Sequence, residues 1–200
     1  MPKDANQERV LGIVGSPRRR GNTETLVDEA LRGAQEAGAL VKKVILSELG
    51  IGPCRACDAC LKTGECVQRD GMPTLLEQME RSQVWVLGTP IYWWGPTAQF
   101  KAFIDRWRPA GAGRIVTFKG RRVILIIPLE DTDAGTARHT IGMLTDMLDY
   151  LKMELFTTVV APGVLHRGEV REHPDVLARA RRAGQEAVEG ESKSTTIASR

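Results

Sequence analysis

Cysteine occurs at four positions in this 200-residue chain, all within one stretch: Cys54-Arg-Ala-Cys57-Asp-Ala-Cys60-Leu-Lys-Thr-Gly-Glu-Cys66. Two C-x2-C steps in tandem let a tightly turned backbone aim three thiolates into one concavity. The spacer that follows contains the flexible Gly64 and lets Cys66 supply a fourth. Four thiolates so arranged suit the four corners of a cubic [4Fe-4S] cluster. Zinc stays open, although structural zinc sites usually pair two C-x2-4-C knuckles across a longer insert. A redox-active or structural disulfide, or an empty group of thiols, stays open too, but one disulfide leaves two cysteines unexplained. Bacterial ferredoxins place Pro after the last cysteine of their run, where this chain has Val67. One cluster using all four thiols is the economical reading.

A second stretch, Ser16-Pro-Arg-Arg-Arg-Gly-Asn-Thr23, stands between an apolar run and a helical pattern. Backbone N–H groups and the positive end of that helix therefore face one space, where an anion is expected. Ser16, Asn22, Thr23 and Thr25 add short donors, and one arginine of the triplet, Arg18, offers its guanidinium to phosphate oxygens. Arg19 and Arg20 read as a solvated basic turn. The loop has neither Gly-Lys-Ser/Thr nor G-x-G-x-x-G, so a terminal monophosphate fits better than a triphosphate or a dinucleotide. A third stretch, Thr89-Pro-Ile-Tyr-Trp-Trp-Gly95, is rich in aromatics. Its backbone can bond the polar edge of a flat heterocycle, with Tyr92 or Trp93 at the face. The same aromatics would equally cover core or a subunit interface. Phosphate at one loop and a flat ring at another describe flavin mononucleotide (FMN).

These stretches need a scaffold. Apolar content of 42%, charged content of 26% and net charge +3 are ordinary for one globular domain, and scattered basic residues give no nucleic-acid surface. The longest apolar run, 123–129, is too short to span a bilayer, and the N-terminus is polar, so a cytoplasmic location with no membrane partner is expected. Strand-like runs at 10–15, 41–46, 84–88, 122–128 and 155–161 alternate with helical patterns. The helix after Pro96 carries Phe100, Phe103, Ile104 and Trp107 on one stripe, most simply core. Strands apolar on both faces imply an α/β fold: a doubly wound, five-stranded parallel sheet with helices on both faces, in the flavodoxin-like order 2-1-3-4-5. Residues 1–188 then form one domain with the cysteine loop at 54–66, and 189–200 a flexible tail. Ligands belong at the carboxyl edge of such a sheet, which would put the cysteine loop and the other two loops together there. The acidic loop 130–135 is expected as a third wall. His139, His166 and His173 lie outside these loops and read as surface or packing residues.

Gly15-Ser-Pro-Arg-Arg-Arg-Gly-Asn-Thr23, the cysteine motif, Thr89-Pro-Ile-Tyr-Trp-Trp-Gly-Pro-Thr97 and Lys101-Ala-Phe-Ile-Asp-Arg-Trp107 together resemble the iron-sulfur flavoprotein family, within the wider NADPH-dependent FMN reductase group. The resemblance covers about residues 9–160 and is most specific in the cysteines. It implies that Ser16, Arg18, Asn22 and Thr23 hold the FMN phosphate, and that Thr89, Pro90, Ile91, Tyr92, Trp93 and Gly95 form the loop along the isoalloxazine. By the same resemblance Cys54, Cys57, Cys60 and Cys66 hold a [4Fe-4S] cluster. It further implies an oxidoreductase passing electrons from a ferredoxin-like donor through the cluster to FMN and on to a small-molecule acceptor. Two readings stay beside it: an NAD(P)H-dependent FMN or quinone reductase without a functional cluster, and a non-enzymatic flavin carrier or redox or metal sensor. Tyr92, Trp93 and Trp94 exceed what one flavin ring covers, so a homodimer or homotetramer is expected.

Overall fold

The computed structural model describes residues 7–107 and 118–190. Its sheet is parallel throughout, in the order β2-β1-β3-β4-β5, with β1 at Arg9–Val14, β2 at Leu40–Ile45, β3 at Val84–Gly88, β4 at Arg122–Pro128 and β5 at Glu154–Ala161. This is the expected order. Around it lie α1 (Asn22–Glu36), α2 (Ala59–Thr63), α3 (Met72–Glu80), α4 (Ala98–Asp105), α5 (Arg138–Tyr150) and α6 (Pro174–Glu189). Short α2, inside the cysteine loop, is an addition to the sequence reading; five residues carry too little periodicity to be read as a helix. The Pro/Gly-rich connection at 109–113 and residues 191–200 of the expected tail lie outside the described residues.

Alternation along the central strands sorts the core into two layers. Leu11, Ile13, Trp85, Leu87, Leu125 and Ile127 face the side covered by α3, α4 and α5, where Trp85, Trp107 and Phe118 meet edge to face. Val10, Val14, Val84, Val86, Ile124 and Ile126 face the side covered by α1 and α6. Those two helices touch backbone to backbone. A Cβ on Gly33 would stand 1.8 Å from the Arg181 carbonyl oxygen, and one on Gly184 would stand 1.8 Å from that of Ala30. Only glycine allows this approach, and it seats the segment leading into α6 over the start of α1. Asn22 locks the seat: its Nδ2 donates to the Val164 and His166 carbonyls, and its Oδ1 accepts from the Val170 N–H.

Thr97 joins two carboxyl-edge loops. Its Oγ1 donates to the Gly15 carbonyl at 2.6 Å and accepts from the Phe100 N–H, capping α4, while its own N–H donates to Thr89 Oγ1. Thr97 and Thr89 are fully buried. Helix α4 therefore hangs from the point where the phosphate-type loop and the aromatic loop meet.

Candidate FMN cleft and four-cysteine cavity

A cleft opens at the carboxyl edge between the ends of β1, β3, β4 and β5. One end is lined by Ser16, Arg18, Gly21, Asn22 and Thr23, the other by Pro90, Ile91, Tyr92, Pro128, Leu129 and Glu130. Helix α1 begins at the first end without a side-chain cap, since the residue before it is Gly21, so the N–H groups of its first turn keep their capacity for an anion. Arg18 lies along this end, where its Nη1 donates to the Leu165 carbonyl at 3.0 Å. Arg19 instead pairs with Glu24 and Glu48. Arg20 takes a left-handed conformation in which its N–H meets Glu24, and Lys43 completes that carboxylate's partners. Burial pushes the Glu24 pKa up, but the bonds from Lys43 and the Arg20 N–H outweigh it and hold the carboxyl ionised below its usual range.

The structure redistributes several roles read from the sequence. Asn22 lines the cleft, yet its amide is committed to the segment 164–170. Thr25 does not line it. In the aromatic loop Thr89 braces Thr97 instead of facing the cleft. The Ile91 N–H donates to the Pro128 carbonyl, and Tyr92 and Gly95 exchange N–H···O bonds. Those donors hold the loop's shape, leaving side chains and ring faces of Pro90, Ile91 and Tyr92 as the wall. Trp93 borders an adjoining hollow of about 1,140 Å³ with Ile91, Tyr92, Trp94, Leu129, Glu130, Asp131 and Thr136. Of the loop 130–135, Glu130 reaches the cleft; Asp131 and Asp133 accept hydrogen bonds from Asp133 N–H, Thr136 Oγ1 and Gly135 N–H and so fold their own turn. The third wall is the segment after β5: Val164, Leu165, His166 and Arg167 line the cleft opposite Arg18. His166 thus stands at the site and not outside it. The strand order held the signal, because β5 beside β4 delivers its following loop to the same edge.

All four cysteines line a second, smaller cavity of about 340 Å³, together with Arg55, Asp58, Val67, Gln68, Asp105 and Arg106. None of the four is in a disulfide, and Cys60 is the buried one. Ala56 and Asp58 both adopt left-handed φ angles (50° and 55°), rare for residues with a Cβ, and these reversals turn Cys54, Cys57 and Cys60 toward one hollow. Among the described residues no three His, Cys, Asp or Glu side chains converge on the position of a single metal ion. The loop's neck is fastened: Gly71 N–H donates to Leu49 O, Gln68 Nε2 to Pro53 O, and Gly52 N–H to Asp70. Arg106, at the end of α4, closes it with two bonds to Asp70 (2.8 and 3.2 Å) and one to Gly52 O.

The two cavities share no lining residue. The aromatic loop holds the amino end of α4 through Thr97, and the cysteine cavity holds its carboxyl end through Asp105 and Arg106. Eight helical residues separate these ends, or about 12 Å.

The chain is 40% identical over 121 residues to an iron-sulfur flavoprotein of Archaeoglobus fulgidus, covering 56% of this chain and 55% of the relative. It is 38% identical over 105 residues to another from Methanocaldococcus jannaschii, covering 52% and 54%. The chain thus spans about half the length of these curated relatives. In fold it is similar to an NAD(P)H:quinone oxidoreductase from Methanothermobacter marburgensis (TM-score 0.70, 18% identity, covering 90% of this chain and 96% of the other). The family model for NADPH-dependent FMN reductases matches residues 9–171, which takes in all five strands and every wall of the cleft; the chain belongs to that family.

Proposed function

We propose that this chain is an FMN-dependent oxidoreductase of the iron-sulfur flavoprotein kind. FMN occupies the carboxyl-edge cleft, a [4Fe-4S] cluster sits on Cys54, Cys57, Cys60 and Cys66, and a ferredoxin-like protein donates the electrons. The observation that carries the reading is the lining of one small cavity by every cysteine in the chain. Four thiols around one hollow suit the four corners of a cluster. FMN fits the cleft because an uncapped helix start and a guanidinium lie at one end and apolar walls at the other. When bound, the cluster supplies one-electron chemistry and the flavin one- or two-electron chemistry.

The chain's own part is binding and placement. The first turn of α1, with Ser16, Thr23 and Arg18, holds a phosphate; Pro90, Ile91, Tyr92 and Leu129 exclude water from one face of a ring; α4 fixes the distance between the two centres. Arg18→Ala should weaken FMN by about 1.5–3 kcal/mol, the worth of a charge-assisted bond, and a fluorescence titration showing unchanged affinity would remove Arg18 from the site. To test the proposed donor, anaerobic stopped-flow should show the flavin bleaching quickly with reduced ferredoxin and slowly with NAD(P)H. The opposite order favours an NAD(P)H-dependent FMN or quinone reductase. That second reading draws on the hollow beside Tyr92 and Leu129, which has room for a second flat molecule against the flavin.

Assembly belongs to the same proposal. Trp93 and Trp94 form the tip of a tight hairpin at φ 50° and 60°, and are 91% and 52% exposed. Two bulky residues stand in a turn that favours Asn-Gly, at a cost of order 1–3 kcal/mol each. A homodimer or homotetramer that buries them offsets this cost. Light scattering at micromolar concentration should therefore give at least twice the monomer mass, and a monomer would contradict it.

A further inference from the structure

We propose that Arg106 sets the reduction potential of the cluster in the four-cysteine cavity, with Asp70 both aiming and moderating it. The inference rests on the cluster reading. Arg106 is the charged side chain most removed from solvent there: its side chain is 1% exposed, against 12% for Asp70. Nη1 is bound to Asp70 and the Gly52 carbonyl, and Nη2 to Asp70. Nε is buried with no hydrogen-bond partner among the described residues. A guanidinium with an idle donor is costly inside a protein, at about 1–3 kcal/mol for the unmade bond. This one stands in the wall of the cysteine cavity. Cys66 lines the same cavity. The geometry supplies what a cluster thiolate or sulfide lacks, an N–H donor carrying positive charge.

Bonds to the sulfurs and nearby net charge are the protein's means of setting a cluster's potential. The governed step is the gain of one electron from the external donor, with no bond made or broken. The added negative charge is stabilised by Arg106 and opposed by Asp70. The two residues should therefore act with opposite sign, although they are partners. A purely structural clamp predicts the same change from loss of either one.

The test is an anaerobic redox titration of the reconstituted protein, followed by electron paramagnetic resonance of the reduced cluster. Arg106→Gln should make reduction at least tenfold less favourable, about 59 mV per tenfold for a one-electron couple. Asp70→Asn, which keeps volume and an acceptor, should shift the potential upward. If Arg106→Gln does not fold, Arg106→Lys keeps the charge but loses the Nε donor and should shift it downward by less. Potentials unmoved, or moved in the same direction by both partners, overturn the role of Arg106 while leaving the cluster reading intact. A parent protein that takes up no iron and sulfide overturns both.

Discussion

Cys57→Ser should yield a folded chain that binds FMN as the parent does, holds no stable cluster, and takes electrons from ferredoxin far more slowly. The chain has no fifth cysteine. Cys57 lies between the two left-handed residues Ala56 and Asp58, so the strained turn that presents it cannot readily offer another donor. Losing an outer-shell partner typically costs about 10–100-fold in metal affinity, and loss of a ligand should exceed that. The flavin should stay, since its walls come from 16–23, 90–92, 128–130 and 164–167, none of them part of the cysteine loop. Any direct reduction by NAD(P)H should be little changed. Iron analysis, an FMN titration and stopped-flow with both donors check the three parts. Ferredoxin reduction at the parental rate would contradict the proposed route.

Arg106→Ala should destabilise the fold by about 3 kcal/mol, the lower end of what breaking a buried pair by removing one partner costs, because Asp70 keeps some solvent contact. The deficit should depend on pH. In the parent, burial raises the Asp70 pKa, but the bonds from Arg106 and from the Met72 and Gly52 N–H groups bring it below its ordinary value of 3.8. A depressed carboxyl contributes stability that is present above the unfolded pKa and lost as pH falls through the folded one. Parent and variant should therefore differ most above about pH 4 and converge below it. Urea unfolding at pH 7, 5 and 3 measures this, and a constant gap would contradict the assigned ion pair. Because Asp70 also binds Gly52, the variant should loosen the neck of the cysteine loop.

The fold was legible because the three central strands are short apolar runs, each ending at or just before Gly or Pro, and because parallel connections leave few orders to choose from. The phosphate-type loop and the four cysteines were legible as local spacings. What escaped was set at long range. Arg106 ends the stripe of Phe100, Phe103 and Ile104 and looks like a surface charge until Asp70, 36 residues earlier, is found beside it. His166 and Arg167 follow no motif and reach the cleft through the pairing of β5 with β4 and the glycine contact between α1 and α6. Asn22 has the chemistry of a phosphate donor, but an amide both donates and accepts, and Val164, His166 and Val170 use both functions. That α4 meets the aromatic loop at one end and the cysteine cavity at the other was equally invisible, since the path of a chain leaving an edge strand has no periodic signature.

The central claim is that one chain holds both FMN and a cluster on its four cysteines. It is tested most directly by purifying the protein without oxygen, recording the visible spectrum, and assaying flavin, iron, acid-labile sulfide and zinc. The account predicts a flavin spectrum above a broad cluster absorption, with iron and sulfide in equal amounts and one cluster per flavin. Zinc on the thiols, or flavin with no iron and no sulfide, would contradict it.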